Sequence, residues 1–305
     1  MTDPEFEATS QEQRAGVSLS RDIEAGLAAL RAGDLDAALA RFVAAHGRAR
    51  AAGDLEEESA ALRHQSFVWR QRSDWSRAME CASAAVEAAE SAGVRDALAE
   101  AMNAKATVFQ AQGDHARAMP ILREAAALAF DRRVQALIYA NMGAISAEQG
   151  DLATARKHFL ASAERFRQAG YYFGEAVTLN NFGRAAMDVG NPRLALPMLQ
   201  EARAAARRAA DAELLGIVHT NVAEAHERMG ELDAGAREAS EALAIFTRLA
   251  NHARRAECLR VLGSIAAARG DVPAARAHYA DALDAATVAG AGAERERIAS
   301  ALETL

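Results

Sequence analysis

This sequence predicts an all-α array of seven consecutive helical hairpins closed by one further helix. Three observations lead there. Alanine accounts for 80 of the 305 residues, against 5 prolines and an aromatic content of 5%; alanine is the strongest helix former, whereas an all-β fold needs β-branched and aromatic strands. Short turn-forming segments recur at intervals of 40 residues, once 37, a period that signals stacked supersecondary units. Small residues hold fixed offsets from those turns, so the helices between them are expected to touch closely.

The elements follow in order. Gly33-Asp34, Ser73-Asp74, Gly113-Asp114, Gly150-Asp151, Gly190-Asn191, Gly230-Glu231 and Gly270-Asp271 each read as the turn inside one hairpin. The glycine ends one helix in the left-handed conformation, and the polar residue after it is placed to cap the next helix, where the helix dipole also favours it. Pro192 and Pro273 fall in the first turn of the following helix, where a missing N–H costs nothing. A second series joins one hairpin to the next: Ala52-Gly53, Ala92-Gly93, Phe130-Asp131, Ala169-Gly170, Ala210-Asp211, Ala250-Asn251 and Ala289-Gly290. The three residues missing from the period are lost at Phe130-Asp131. Each unit is therefore two helices of about 16–18 residues, an ordinary helix length. The repeats are expected over residues 15–290. Residues 1–14 read as a disordered tail, and 291–305 as an amphipathic helix supplying the polar cap such an array needs.

Three rows of small residues mark the helix contacts. The second helix of each hairpin carries Ala38, Ala78, Ala118, Ala155, Ala195, Gly235 and Ala275, and seven residues on Ala45, Ala85, Ala125, Ser162, Ala202, Ala242 and Ala282. The first helix carries Gly26, Ser66, Ala106, Gly143, Gly183, Ala223 and Gly263. With these rows, and with Asn141-Met142-Gly143…Gly150-Asp151, Asn181-Phe182-Gly183…Gly190-Asn191 and Val261-Leu262-Gly263…Gly270-Asp271, the chain resembles the tetratricopeptide repeat family. The unit is longer than that family's usual 34 residues, which is similar to the long-repeat branch found in kinesin light chains, Gα-regulatory scaffolds and bacterial peptide-sensing regulators. The family's first-helix aromatics are mostly absent, Trp69 and Phe109 excepted. The resemblance implies a right-handed superhelical solenoid whose first helices line a concave groove holding an extended peptide or a helix of a partner protein.

Composition narrows the function. A net charge of −7 argues against a nucleic-acid or membrane-surface binder, which needs a basic face. No run approaches the length of a transmembrane helix, and the first 15 residues are too polar and acidic for a secretory signal. Two cysteines, Cys81 and Cys258, are too few for a disulfide framework, so a cytoplasmic location is expected. The basic residues are 33 arginines and only two lysines, Lys105 and Lys157. His219 and His226 stand seven apart with Glu224 between them, which is the wrong spacing for a zinc-protease helix, and both read as core histidines. No phosphate-binding glycine loop and no G-x-S-x-G is present. The sequence therefore predicts a non-enzymatic chain with no metal and no cofactor.

The binding residues come from repeat register. Asn141, Asn181 and Asn221 recur in one groove-facing row, where a carboxamide offers both the donor and the acceptor that an extended main chain needs. The neighbouring row holds Arg63, Asn103, Asn180 and Arg260, and Arg184 follows one turn on. Arg63, His64 and Arg70 are expected to form one positive spot. Some members of the resembled family clamp a partner's C-terminal carboxylate through basic residues, but the lysine-rich clamp is absent here. The groove arginines are matched by acids, so a partner of mixed charge with an apolar anchor is expected. Tyr171, Tyr172 and Phe173, the densest aromatic cluster, are a candidate lateral contact. The reading is a protein-interaction scaffold for a peptide or protein partner. Its alternative is a peptide- or ligand-responsive sensor whose superhelix changes pitch and acts through a partner, since no helix-turn-helix or output domain is read beside the array.

Overall fold

Helix follows helix, without a strand, through residues 20–305, the part of the chain described by the computed structural model; the tail read at residues 1–14 lies outside them. The first hairpin is α1 (Arg21–Arg31) with α2 (Leu35–Ala52), the second α3 (Leu55–Gln71) with α4 (Trp75–Ala92), the third α5 (Arg95–Ala111) with α6 (His115–Leu128) and the fourth α7 (Arg132–Glu148) with α8 (Leu152–Gln168). Then come α9 (Tyr172–Asp188) with α10 (Pro192–Ala209), α11 (Ala212–Arg228) with α12 (Leu232–Arg248), α13 (His252–Ala268) with α14 (Val272–Val288), and a last helix α15 (Gly292–Glu303). The described residues divide into two compact units, one ending at Gly170 and the other Tyr171–Leu305. The first holds four hairpins and the second three with α15. Nothing in the repeat periodicity marks the boundary between them.

Local chemistry sets the helix ends. The side chains of Asp34, Asp74, Asp114, Asp151, Asn191 and Asp271 each accept a backbone N–H of the helix that follows, as the turn sequences imply. Glu231 does not cap α12. Its extra methylene carries the carboxylate past the first-turn amides, and it meets His226 Nδ1 at 2.6 Å instead. Three turns reach the left-handed conformation without glycine, at Ser73 (φ 57°), Ala210 (φ 55°) and Ala250 (φ 52°).

Packing follows the small-residue rows. Every member of the three rows is buried. Within a hairpin the rows interlock by size. The residue sixteen beyond the first-helix small position is Phe42 opposite Gly26, Phe159 opposite Gly143, Leu199 opposite Gly183 and Tyr279 opposite Gly263. A Cβ on any of these four glycines would stand within 3 Å of the large side chain. Where the first helix carries Ser66 or Ala223, the facing residue shrinks to Ala82 or Ala239, whereas in the third hairpin Ala106 stands opposite Leu122. The core is accordingly a string of small clusters, such as those around Leu27 and Phe42 in α1–α2, Leu122 and Ile138 in α6–α7, and Tyr279 and Ile298 in α14–α15.

Between hairpins the two helix sets behave differently. First helices of neighbouring hairpins pack on each other, α3 on α5 on α7 in one unit and α9 on α11 on α13 on α15 in the other, while second helices do not pair in this way. Each unit thus closes up on the side of its first helices, and that side carries the candidate site.

Candidate functional site

In the first unit the candidate residues lie on α3, α5 and α7. Asn103 and Asn141 are both buried and joined directly, Asn141 Nδ2 donating to Asn103 Oδ1 at 2.8 Å. Arg63 pairs with Glu100 across 2.6 Å, and its Nε lies buried without a hydrogen bond. Burial pushes the Glu100 carboxyl above its usual range against the pull of Arg63. The positive spot expected of Arg63, His64 and Arg70 does not form as such. His64 is buried and stacked on Phe42 with ring centroids 4.9 Å apart. Burial, with Arg63 adding to it, lowers its pKa to about 3, so at neutral pH it is an uncharged core residue. Arg70 lies over the Phe67 ring at 5.1 Å.

The second unit repeats the asparagine pair in a more elaborate form. Asn221 Nδ2 on α11 donates to Asn180 Oδ1 on α9 at 2.6 Å, and Arg184 Nη1 reaches Asn221 Oδ1 at 3.4 Å. The guanidinium can only donate, so the Asn221 atom facing it must be oxygen. That fixes the amide orientation, and Nδ2 is then committed to Asn180. The relay runs Arg184 to Asn221 to Asn180. It consumes the acceptor oxygens and leaves N–H groups of Arg184 and Asn180 as the open valences. Arg184 is exposed and has no carboxylate partner among the described residues, whereas Asn181 is half-buried.

Arg260 on α13 is already occupied. Its Nη2 donates to Glu224 of α11 at 2.9 Å and its Nε to Glu294 of α15 at 2.8 Å. Burial opposes its charge, but the two carboxylates outweigh this and raise its pKa. Nearby, Ser264 donates to Glu227 and Arg228 Nη1 to the Met187 carbonyl at 2.7 Å.

The row of Asn141, Asn181 and Asn221 read from sequence is therefore not used as a row. Each bonded pair joins a member of that row to a member of the neighbouring one, Asn103 to Asn141 and Asn180 to Asn221. The two steps are 38 and 41 residues, the same offset once the three residues missing at Phe130 are counted. Successive first helices stack with a shift of one residue beyond the period, and only the structure reveals that shift.

The aromatic cluster is divided. Tyr171 is buried, its ring centroid 6.2 Å from that of Phe173. Tyr172 lies under the guanidinium of Arg208 at 4.6 Å, and Arg208 Nη2 binds both oxygens of the fully buried Glu175 at 2.9 and 3.1 Å. His219 is a core histidine, with Nδ1 2.6 Å from Glu238 Oε2, and Arg203 engages the same carboxylate. Burial alone would raise the Glu238 pKa, but the two hydrogen bonds hold it at about 2. Burial raises the thiols of Cys81 and Cys258 to about 11, so neither is a thiolate near neutral pH. Among the described residues no His, Cys, Asp and Glu side chains group so as to hold a metal ion, and no helix is long and apolar enough to cross a membrane.

Family models described as tetratricopeptide repeat match residues 134–208 and 214–287, and a second such model matches 98–129. The chain belongs to the tetratricopeptide repeat family. Its hairpins are long tetratricopeptide repeats, and the A helix of each repeat carries the face described above. No curated protein matches the sequence. Among solved structures, the repeat array is similar to BtubC from P. vanneervenii, at 20% identity and a TM-score of 0.62, covering 71% of this chain and 92% of that one. It is also similar to the apo form of the quorum sensor NprR from B. thuringiensis, at 13% identity and a TM-score of 0.62 over 87% and 75% of the two chains. A Rap protein complexed with competence and sporulation factor aligns at 14% identity and a TM-score of 0.59 over 98% and 82%.

Proposed function

We propose that this tetratricopeptide repeat protein is a non-catalytic interaction module that holds an extended segment of a partner protein against its A helices. The observation that carries the reading is the relay of Arg184, Asn221 and Asn180. A run of polar side chains, two buried and one exposed, whose acceptors are consumed internally and whose donors remain open, suits a ligand rich in acceptors. The carbonyls of an extended main chain are such a ligand, and Arg184 favours an acidic side chain or terminus beside them. In the other unit, Asn103 and Asn141 form a second bonded asparagine pair on the A helices, with Arg63 and Glu100 as its charged neighbours.

The test uses peptides selected on the chain from a displayed random library and titrated calorimetrically. Binding should fall at least tenfold in the folded Asn180→Ala/Asn221→Ala variant, and acidic residues in the selected peptides should lose their preference in Arg184→Ala. Unchanged affinity in both variants would sink the reading.

A second reading, a sensor whose superhelix changes pitch, is supported by a different observation. Successive A helices are tied by polar bonds, including Asn180 to Asn221 and Arg260 to both Glu224 and Glu294. A ligand that competes for these bonds alters the spacing of neighbouring repeats, and in an array each repeat touches only its neighbours. The structural relatives named for quorum sensing and for a bound sporulation factor are in keeping with it. A change in solution scattering dimensions on peptide binding separates this reading from passive scaffolding.

A further inference from the structure

Arginine stacked on an aromatic ring is a recurrent pairing in this chain. Arg72 and Arg77 on Trp69, Arg117 on Phe109 and Arg208 on Tyr172 are all also held by a carboxylate, that of Asp36, Asp74, Asp114 or Glu175. Arg165 on Tyr139 is held instead by the Gln135 side chain and the Ala161 carbonyl, whereas Arg95 has neither kind of partner. Its guanidinium lies 4.2 Å from the centroid of Phe130, and it has no ion pair or hydrogen bond within the described residues. Both residues are exposed, Phe130 by 67%, and Val94 beside Arg95 is exposed as well.

The local fold does not need the Phe130 side chain. Helix α6 is shorter than the other second helices, 14 residues against 17 or 18, and backbone groups hold the connection that follows it. Asp96 Oδ1 accepts the N–H of Phe130 at 2.6 Å and of Asp131 at 3.0 Å. Asp131 in turn caps α7 through the N–H of Arg133 and Val134, and Gln135 Nε2 donates to the Ala129 carbonyl at 2.7 Å. One oxygen of each nearby carboxylate is thus committed to backbone donors, and the guanidinium of Arg95, flat against the ring, keeps its own donors open.

We propose that Arg95 and Phe130 form a docking point for an acidic segment of a partner protein. A carboxylate of the partner takes the guanidinium edge, and an apolar side chain next to it covers the exposed part of the ring. The stack holds the guanidinium flat, so its donor fork is presented ready for bidentate pairing, which a lysine cannot provide. Arginine and aromatic residues are also the types enriched among the few that dominate protein interfaces. The unpaired donor fork of Arg95 calls for a carboxylate, and the ring beside it for an apolar residue next to that acid. This surface shares no residue with the A-helix face, so it stands or falls independently of the function proposed above.

The experiment pans a displayed random peptide library on the full chain, with counter-selection against Phe130→Ala. Enriched peptides should carry Asp or Glu beside Leu, Phe or Trp. Their affinity should drop at least tenfold in Phe130→Ala, in Arg95→Ala and in Arg95→Lys, and should be unchanged in Asn180→Ala/Asn221→Ala. The melting temperatures of the surface variants should match that of the parent, which rules out unfolding as the cause. If no enriched peptide depends on both residues, or if the dependent peptides are basic, the proposal is overturned.

Discussion

Replacing Gly183 by alanine places a Cβ 2.4 Å from Leu199 Cδ2 and 2.5 Å from its Cγ, where an ordinary carbon contact is about 3.5–4.0 Å. Leu199 is fully buried, and the contact involves its Cγ as well as its terminal methyl, so a rotation of the methyls alone does not relieve it. Overpacking of this kind costs about 1–3 kcal/mol, and alanine returns about 1 kcal/mol of helix propensity. With a clash this tight, Gly183→Ala should destabilise by about 1–2 kcal/mol. Leu199→Ala should cost about 2–5 kcal/mol through lost burial and the cavity left behind. Independent effects would simply add. The structure says they do not, because the new methyl at 183 enters the space that Leu199 vacates. The double variant reproduces the Ala223 and Ala239 pairing of the next repeat, and it should be more stable than Leu199→Ala alone, with a coupling of about 2 kcal/mol. Urea unfolding followed by circular dichroism gives the three midpoints. Hydrogen exchange of the α9 and α10 amides reports the local free energy should the array unfold in stages. If the double variant is as unstable as the sum of the singles, the size-matching of facing rows is not what packs these hairpins.

Other expectations follow from the same geometry. Glycine at Ser73, Ala210 and Ala250 removes a left-handed strain of about 1 kcal/mol per site, so the triple variant should melt higher than the parent; a lower melting temperature contradicts the strain. The folded pKa of His64 is lowered to about 3, so its contribution is intact above the unfolded value near 6.5 and fades as pH falls, because only the unfolded chain takes up the proton. Between pH 7 and 4.5 the first unit should lose about 2–3 kcal/mol that His64→Gln does not lose, read from Trp69 and Trp75 fluorescence in urea. Glu238, held at about 2, should act in a lower window. Its contribution of about 1–2 kcal/mol after solvent screening is present above pH 4.5 and lost as pH falls toward 2, and Glu238→Gln should abolish that step.

What the sequence discloses is whatever lies within one hairpin. Turns, caps and small-residue rows depend on neighbours a few residues away, and a 40-residue period repeats the same local problem seven times. Glu231 fails only because side-chain length, which a residue class ignores, decides whether a cap closes. Between hairpins the sequence is less informative. Pairing Asn180 with Asn221 rather than Asn181 depends on a one-residue stacking shift between adjacent helices. Arg260 could not be seen as occupied, because Glu224 and Glu294 lie 36 residues before and 34 after it. His64 shares a row with Asn141, but the Phe42 ring beside it turns a groove position into a core one. The three residues missing near Phe130 were visible as a gap in the count, whereas the exposed stack they leave with Arg95 was not.

Alanine has one further property that matters for this molecule. It gives up no side-chain conformational entropy on burial, whereas an isoleucine or leucine gives up about 0.5–1 kcal/mol. The rows at which these helices meet, Ala38 to Ala275 and Ala45 to Ala282, therefore form contacts that have nothing to freeze. Apart from Ser162, the same rows have no alternative rotamers through which to absorb a change of shape. Native-state disorder should concentrate in the long arginine and glutamate side chains of the outer surfaces, while the helix contacts themselves respond to stress by moving as rigid bodies.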